Sequence, residues 1–232
     1  MPAKRPLKNK ETMAHVAERR ADAYGVLVGV FESLPDEDLL IRIKGNGLFE
    51  LLDSLYEWDR SRFKSGVDHV KAYCAAIGSK PDEGIINELS VDRTRILRGT
   101  GNTGLQPPYE GAYKSRKNTV TSALQVKKFY RKAGIIPDET VPEPPDYLCV
   151  ELDFMRQLCL REQEQWLSHD NVKDTILLEE AFLREHLGSW LGEFCSQAQK
   201  DALTDFYRGF VVILDSFVAI DKEYLRDLIK AL

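Results

Sequence analysis

Pro142-Glu143-Pro144-Pro145-Asp146-Tyr147-Leu148-Cys149-Val150-Glu151-Leu152-Asp153-Phe154-Met155 runs from a proline-braced acidic loop straight into an apolar segment. Beyond Pro145, Leu148, Leu152, Met155, Cys159, Glu162 and Trp166 recur at three- and four-residue steps, the period of one helix face. Only Glu162 in that stripe is polar. From Ala133 to Met155 there is no Lys or Arg, while Asp138, Glu139, Glu143, Asp146, Glu151 and Asp153 all fall inside the window. An acidic loop beside an apolar helix suits a ligand that is cationic at one end and apolar along the rest. Asp146 stands where it could cap the next helical turn or offer a carboxylate to an incoming guanidinium.

Outward from this stretch, the helical period repeats. Ala17, Ala21, Tyr24, Val28 and Phe31 form one stripe that Pro35 closes. Ile176, Leu183, Leu187, Trp190, Leu191 and Phe194 form another. Leu203, Phe206, Phe210, Leu214 and Phe217 predict a long penultimate helix, and Tyr224, Leu225 and Leu228 a short last one. Alternating apolar and polar runs are nearly absent. The prediction is an all-α fold: a basic flexible tail over 1–12, then one multi-helix domain over 13–232. Two long loops, about 99–111 and 134–147, interrupt it, and loops of that length in a compact fold tend to carry function.

The chain has 232 residues, enough for a substantial core. It is 43% hydrophobic and 30% charged, with net charge −5. That balance disfavours general nucleic-acid binding, which needs a basic face. Cys74, Cys149, Cys159 and Cys195 are far apart and His15, His69, His169 and His186 form no compact set, so no metal site is expected. Reduced thiols and the lack of a long apolar run predict a cytoplasmic protein with no membrane insertion. Arg19-Arg20 and the following apolar residues faintly imitate a twin-arginine export signal. Glu18 and Asp22 flank the pair, however, and the pattern is that of an amphipathic helix.

Gly99-Thr100-Gly101-Asn102-Thr103-Gly104 matches the dinucleotide fingerprint by letter, but such a turn belongs between a strand and a helix. Val91 to Arg98 reads as a helix end and Pro107-Pro108 prevents an immediate helix. A helix-ending glycine is the simpler reading. Nucleotide or pterin binding through this loop stays open as an alternative, as does a helical adaptor for a folded partner. Gly188-Ser189-Trp190-Leu191-Gly192 is no nucleophile elbow. No enzyme activity, cofactor or metal is expected.

Glu139-Thr140-Val141-Pro142-Glu143-Pro144-Pro145-Asp146-Tyr147 has the spacing of a known signature: an acidic residue, His, any residue, Pro, two further residues, then Pro-Asp-His. The acid, both framing prolines and the aspartate are present, whereas Thr140 and Tyr147 replace the histidines. Around it stand Phe31 to Pro35, Arg95 to Gly99 leading to Pro107-Pro108-Tyr109-Glu110, Glu151-Leu152-x-Phe154-Met155, His186-Leu187-x-x-Trp190 and Phe206-Tyr207. In this order the features resemble the TorD/DmsD family of chaperones for molybdenum redox enzymes, over roughly Ala17 to Leu228.

The resemblance implies an all-helical protein that binds the twin-arginine signal peptide of a redox-enzyme precursor until its molybdopterin cofactor is inserted. Glu143, Asp146 and Glu151 are the residues expected to meet the cationic end. Pro145, Tyr147 and Phe154 would shape an apolar wall, and Arg98, Tyr109 and Glu110 an opposite lip. Asp146→Asn is expected to weaken binding strongly and Asp138→Asn little. With Tyr147 in place of a histidine, affinity is expected to be flat between about pH 6 and 8. A homodimer is compatible with helices joined by long loops.

Overall fold

The computed structural model describes residues 9–232 apart from 46–47, 49–51, 54–57, 79, 100–104, 115–118 and 137–142. The Gly101–Gly104 part of the glycine loop, together with Asp138, Glu139 and Thr140, therefore lies outside the described residues. Ten helices are described: α1 (Lys10–Glu32), α2 (Glu37–Lys44), α3 (Arg60–Ala76), α4 (Asp82–Arg98) and α5 (Glu110–Lys114). They continue with α6 (Thr119–Ala133), α7 (Leu148–Ser168), α8 (Lys173–Glu185), α9 (Leu187–Asp201) and α10 (Asp205–Ala231). The fold is all-α. Among the described residues the only extended pairing is an isolated antiparallel bridge between Tyr109 and Tyr147, and no helix is long and apolar enough to cross a membrane.

The helix ends follow local chemistry. Asp36 caps α2 by accepting from the Leu39 amide at 2.9 Å, and Asp59 caps α3 through the Ser61 and Arg62 amides. Gly99 ends α4 with φ +62°, and a Cβ there would lie 2.8 Å from the Leu105 carbonyl oxygen. The glycine motif thus follows a helix rather than a strand. α1 begins at Lys10, so the last residues assigned to the tail are helical.

Two expectations about the helices are corrected. The stripe from Ile176 to Phe194 is two helices, broken at His186, where the Ser189 amide and hydroxyl both donate to the His186 carbonyl. Conversely, the penultimate and last helices are one, the 27-residue α10. Nothing between Phe217 and Tyr224 is Gly or Pro, so nothing there ends a helix.

The chain divides into two compact units. One comprises 1–28, 109–190 and 218–232; the other comprises 29–108 and 191–217. In the first, Tyr130, Phe154 and Phe182 form an aromatic core, with the Tyr130–Phe154 and Phe154–Phe182 ring centroids 4.4 and 4.6 Å apart. In the second, Tyr73, Phe206, Tyr207 and Phe210 pack together. There α3 and α10 cross at Gly66 and Gly209, where a Cβ on either residue would come within 2.8 Å of the other's carbonyl oxygen. Asp92 caps the approach to α10, accepting from the Leu203 and Thr204 amides at 2.8 Å each. All four cysteines are free thiols; Cys149, Cys159 and Cys195 are buried, whereas Cys74 is partly exposed.

Candidate functional site

The two loops singled out from the sequence meet inside the first unit. The Tyr109–Tyr147 bridge joins them, with ring centroids 5.2 Å apart, and the Glu110 amide donates to the Asp146 carbonyl at 2.9 Å. Tyr130 of α6 reaches the proline turn, its hydroxyl donating to the Pro145 carbonyl at 2.8 Å. The turn is thereby held from two directions. The Tyr109 hydroxyl donates to Glu143 at 3.1 Å. Glu143, Pro145 and Tyr109 are half-buried and Pro144 is exposed, so these residues form the accessible rim.

Beneath the rim lie three buried carboxylates. Asp146 does not cap α7, whose N-cap is Tyr147 and has no side-chain cap bond. It turns instead to α5 and accepts from the Gly111 amide at 3.2 Å. Tyr147 takes the backbone position at which the chain enters α7, leaving Asp146 one residue too early for the following turn. Glu110 Oε2 lies 2.9 Å from His186 Nδ1, and Glu110 Oε1 lies 3.3 Å from Lys114 Nζ. Glu151 accepts from the Trp190 indole at 3.1 Å, and Tyr113 stacks on that indole. Tyr147 and Phe154 are buried, the latter within the aromatic core. Arg98 is exposed at the C-terminal end of α4 and belongs to the other unit.

Burial shifts two of these acids, Glu151 and Asp146. Desolvation pushes Glu151 well above the ordinary carboxylate range, and the nearby Glu110 adds to the rise while the Trp190 bond opposes it. Asp146 is raised for the same first reason, with the Gly111 bond opposing and Glu110 adding. The site thus combines a floor of buried acids with a rim of one carboxylate, a tyrosine and two prolines. Such an arrangement attracts and orients a cation. Among the described residues no group of His, Cys, Asp and Glu is arranged to hold a metal.

Sequence reasoning missed His186 and Trp190 as parts of this site. Both come from the α8–α9 junction, a stretch the sequence marked as part of a helical stripe and as one of the family-like features, with no sign that it meets this site. His186 places an imidazole against the acidic floor, which the signature, lacking its histidines, does not supply.

A second charge centre in the same unit was also missed. Arg20 is 1% exposed. It donates to Asp221 and Glu179 at 2.6 Å each, and to Glu162. Tyr24 donates to Asp221 at 2.7 Å and Trp166 to Glu162 at 2.9 Å. Burial opposes the charge on Arg20, but Asp221, with Glu179 and Glu162, more than restores it. The polar member of the α7 stripe was the signal: Glu162 lies on an apolar face because Arg20 meets it there. The arginine pair that imitates an export signal is, in its second member, a core ion pair.

The model of the family described as "Nitrate reductase delta subunit" matches residues 60–196. The chaperone protein TorD of Vibrio vulnificus strain YJ016 is 26% identical over 212 residues, 90% of this chain and 95% of that protein. TorD of Photobacterium profundum is 24% identical over 212 residues, covering 90% and 94%. The perchlorate reductase assembly chaperone protein of Dechloromonas aromatica is 26% identical over 110 residues, covering 47% and 49%. No solved structure matches the chain.

Proposed function

The chain belongs to the nitrate reductase delta subunit family, with the TorD-type maturation chaperones, and from that premise we propose that it is a cytoplasmic chaperone of a molybdenum redox enzyme. In this reading it binds the twin-arginine signal peptide of the enzyme precursor, so that export waits for cofactor insertion. It performs no reaction of its own. The observation that carries the proposal is the half-buried Glu143 on the rim, bonded to Tyr109 and lying above buried Glu110, Asp146 and Glu151.

A guanidinium offers a planar fork of donors that a carboxylate can meet with two bonds, and an ammonium cannot. Glu143 is placed to receive one arginine of the pair. The buried acids set a negative potential below it, and Pro144, Pro145 and Tyr109 offer apolar area to the adjoining residues. Asp146 serves by seating α5 and the turn, so Asp146→Ala, which removes the acceptor for the Gly111 amide, weakens binding by loosening the rim.

Calorimetric titration with a twin-arginine peptide and its Lys-Lys counterpart tests this. The Arg-Arg peptide is expected to bind more tightly, and Glu143→Gln to cost roughly 1.5–3 kcal/mol, the worth of a hydrogen bond to a charged group. Equal affinity for both peptides would reduce the site to unspecific acidic attraction. Binding of neither, with binding of the folded enzyme retained, would favour an adaptor for a folded partner.

A further inference from the structure

The chain is net negative, yet Gly111 to Pro137 contains Lys114, Arg116, Lys117, Lys127, Lys128, Arg131 and Lys132 and no Asp or Glu. α6 carries the second half of this run. It turns Ser122, Val126, Phe129, Tyr130 and Ala133 inward, all of them buried. Directly opposite, Val120, Leu124, Lys127, Lys128 and Arg131 follow the three- and four-residue spacing of a single helix face, and all five are exposed. Val120 is 68% exposed and Leu124 55%; Ile136, just beyond the helix, is 68% exposed.

Among the described residues, Lys127, Lys128 and Arg131 make no ion pair. Several exposed cations elsewhere have a carboxylate on their own helix, as Lys64 has Asp68 and Arg184 has Glu180. We propose that this outer face of α6 docks on an anionic phospholipid surface.

The pairing of residue types favours lipid over other polyanions. Clustered lysine and arginine are drawn to a layer of negative headgroups, and the exposed aliphatic side chains can enter the boundary between headgroups and acyl chains. An acidic protein face would satisfy the cations but would need recesses shaped to Val120, Leu124 and Ile136, whereas a fluid bilayer takes them at any spacing. Nucleic acid would leave the same three side chains unsatisfied. The surface is independent of the peptide rim, since none of its residues contributes to the rim or its acidic floor.

The test is co-sedimentation of the full chain with vesicles of phosphatidylglycerol and phosphatidylcholine, beside vesicles of phosphatidylcholine alone. Binding is expected only to the anionic vesicles, and it is expected to be lost in high salt as screening shortens the reach of the charges. The triple variant Lys127→Glu, Lys128→Glu, Arg131→Glu should lose affinity by on the order of 100-fold or more. Val120→Ser with Leu124→Ser should lose several-fold while keeping the salt dependence. All five side chains are exposed, so matching thermal melts and unchanged signal-peptide titrations would show that fold and rim are intact. Equal binding to neutral vesicles, undiminished binding by the triple variant, or no binding to either vesicle would each overturn the proposal. In the last case, weaker binding of a folded redox enzyme by the triple variant would reassign the face to an acidic protein.

Discussion

The two units of the chain stabilise themselves in contrasting ways. The unit formed by 1–28, 109–190 and 218–232 buries Glu110, Asp146, Glu151, Glu162, Glu179 and Asp221 along with Arg20 and His186. Among the described residues, the other buries only Asp92 and Asp201 of its charged residues. Asp92 caps backbone amides, and Asp201 meets Arg95 at 3.0 Å. It also holds the close glycine crossing of α3 and α10. Buried carboxylates cost stability unless paired, so their concentration in one unit calls for an explanation. Three of them serve one arginine. The other three underlie the rim, where the proposed function calls for a negative site. On that proposal, one unit holds both charge that serves the architecture and charge that serves binding.

The sharpest break in that comparison is Arg20→Ala. It strands three carboxylates in the core, and removing one partner of a buried ion pair costs about 3–5 kcal/mol. For a chain of this size the melting temperature should fall by roughly 6–20 °C. Neutralising the partners should recover much of the loss: Arg20→Met combined with Glu162→Gln, Glu179→Gln and Asp221→Asn should melt well above Arg20→Ala. If the single variant melts like the parent, the cluster contributes little to the architecture.

In the other unit the vulnerable points carry no charge. Gly66→Ala and Gly209→Ala each drive a methyl group into a facing helix backbone, and overpacking of this kind costs about 1–3 kcal/mol. Chemical denaturation should show a loss at both positions, in contrast to Gly29→Ala, where a Cβ meets nothing within 4 Å. Asp92→Ala should cost about 1–2 kcal/mol, since it strips the cap from the Leu203 and Thr204 amides.

Much of this contrast was legible in the sequence only at the level of single helices. The rhythm from Leu148 to Trp166 gave α7 nearly to its ends, and the signature pointed to the turn at Glu143–Tyr147. Periodicity could not show which distant residues meet. Arg20 and Asp221 are 201 positions apart, and His186 and Glu110 are 76 apart. Each pair is joined by tertiary packing, which leaves no trace in local spacing beyond one polar residue on an apolar stripe. The role of Asp146, left open between a cap and a ligand carboxylate, was hidden for the same reason: its partner, Gly111, comes from α5.

The subtlest prediction concerns the acidic floor and pH. Burial raises the pKa of Glu151 above its unfolded value, so over a range beginning near the ordinary glutamate pKa of 4.5 the folded chain holds a proton that the unfolded chain has released. Its favourable contribution is complete below that value and is lost as pH rises through the folded value. Asp146, Glu162 and Glu179 are raised as well and act in the same direction, whereas Asp59 and Glu185 are lowered and act oppositely. The informative quantity is therefore the difference between parent and variant. Glu151→Gln keeps an oxygen to accept from Trp190 and never ionises. Urea melts from pH 5 to 9 should show a shallower decline for the variant, its stability gaining on the parent towards the alkaline end. Parallel curves would mean that Glu151 titrates alike in the folded and unfolded chains, and that burial does not hold a proton on it.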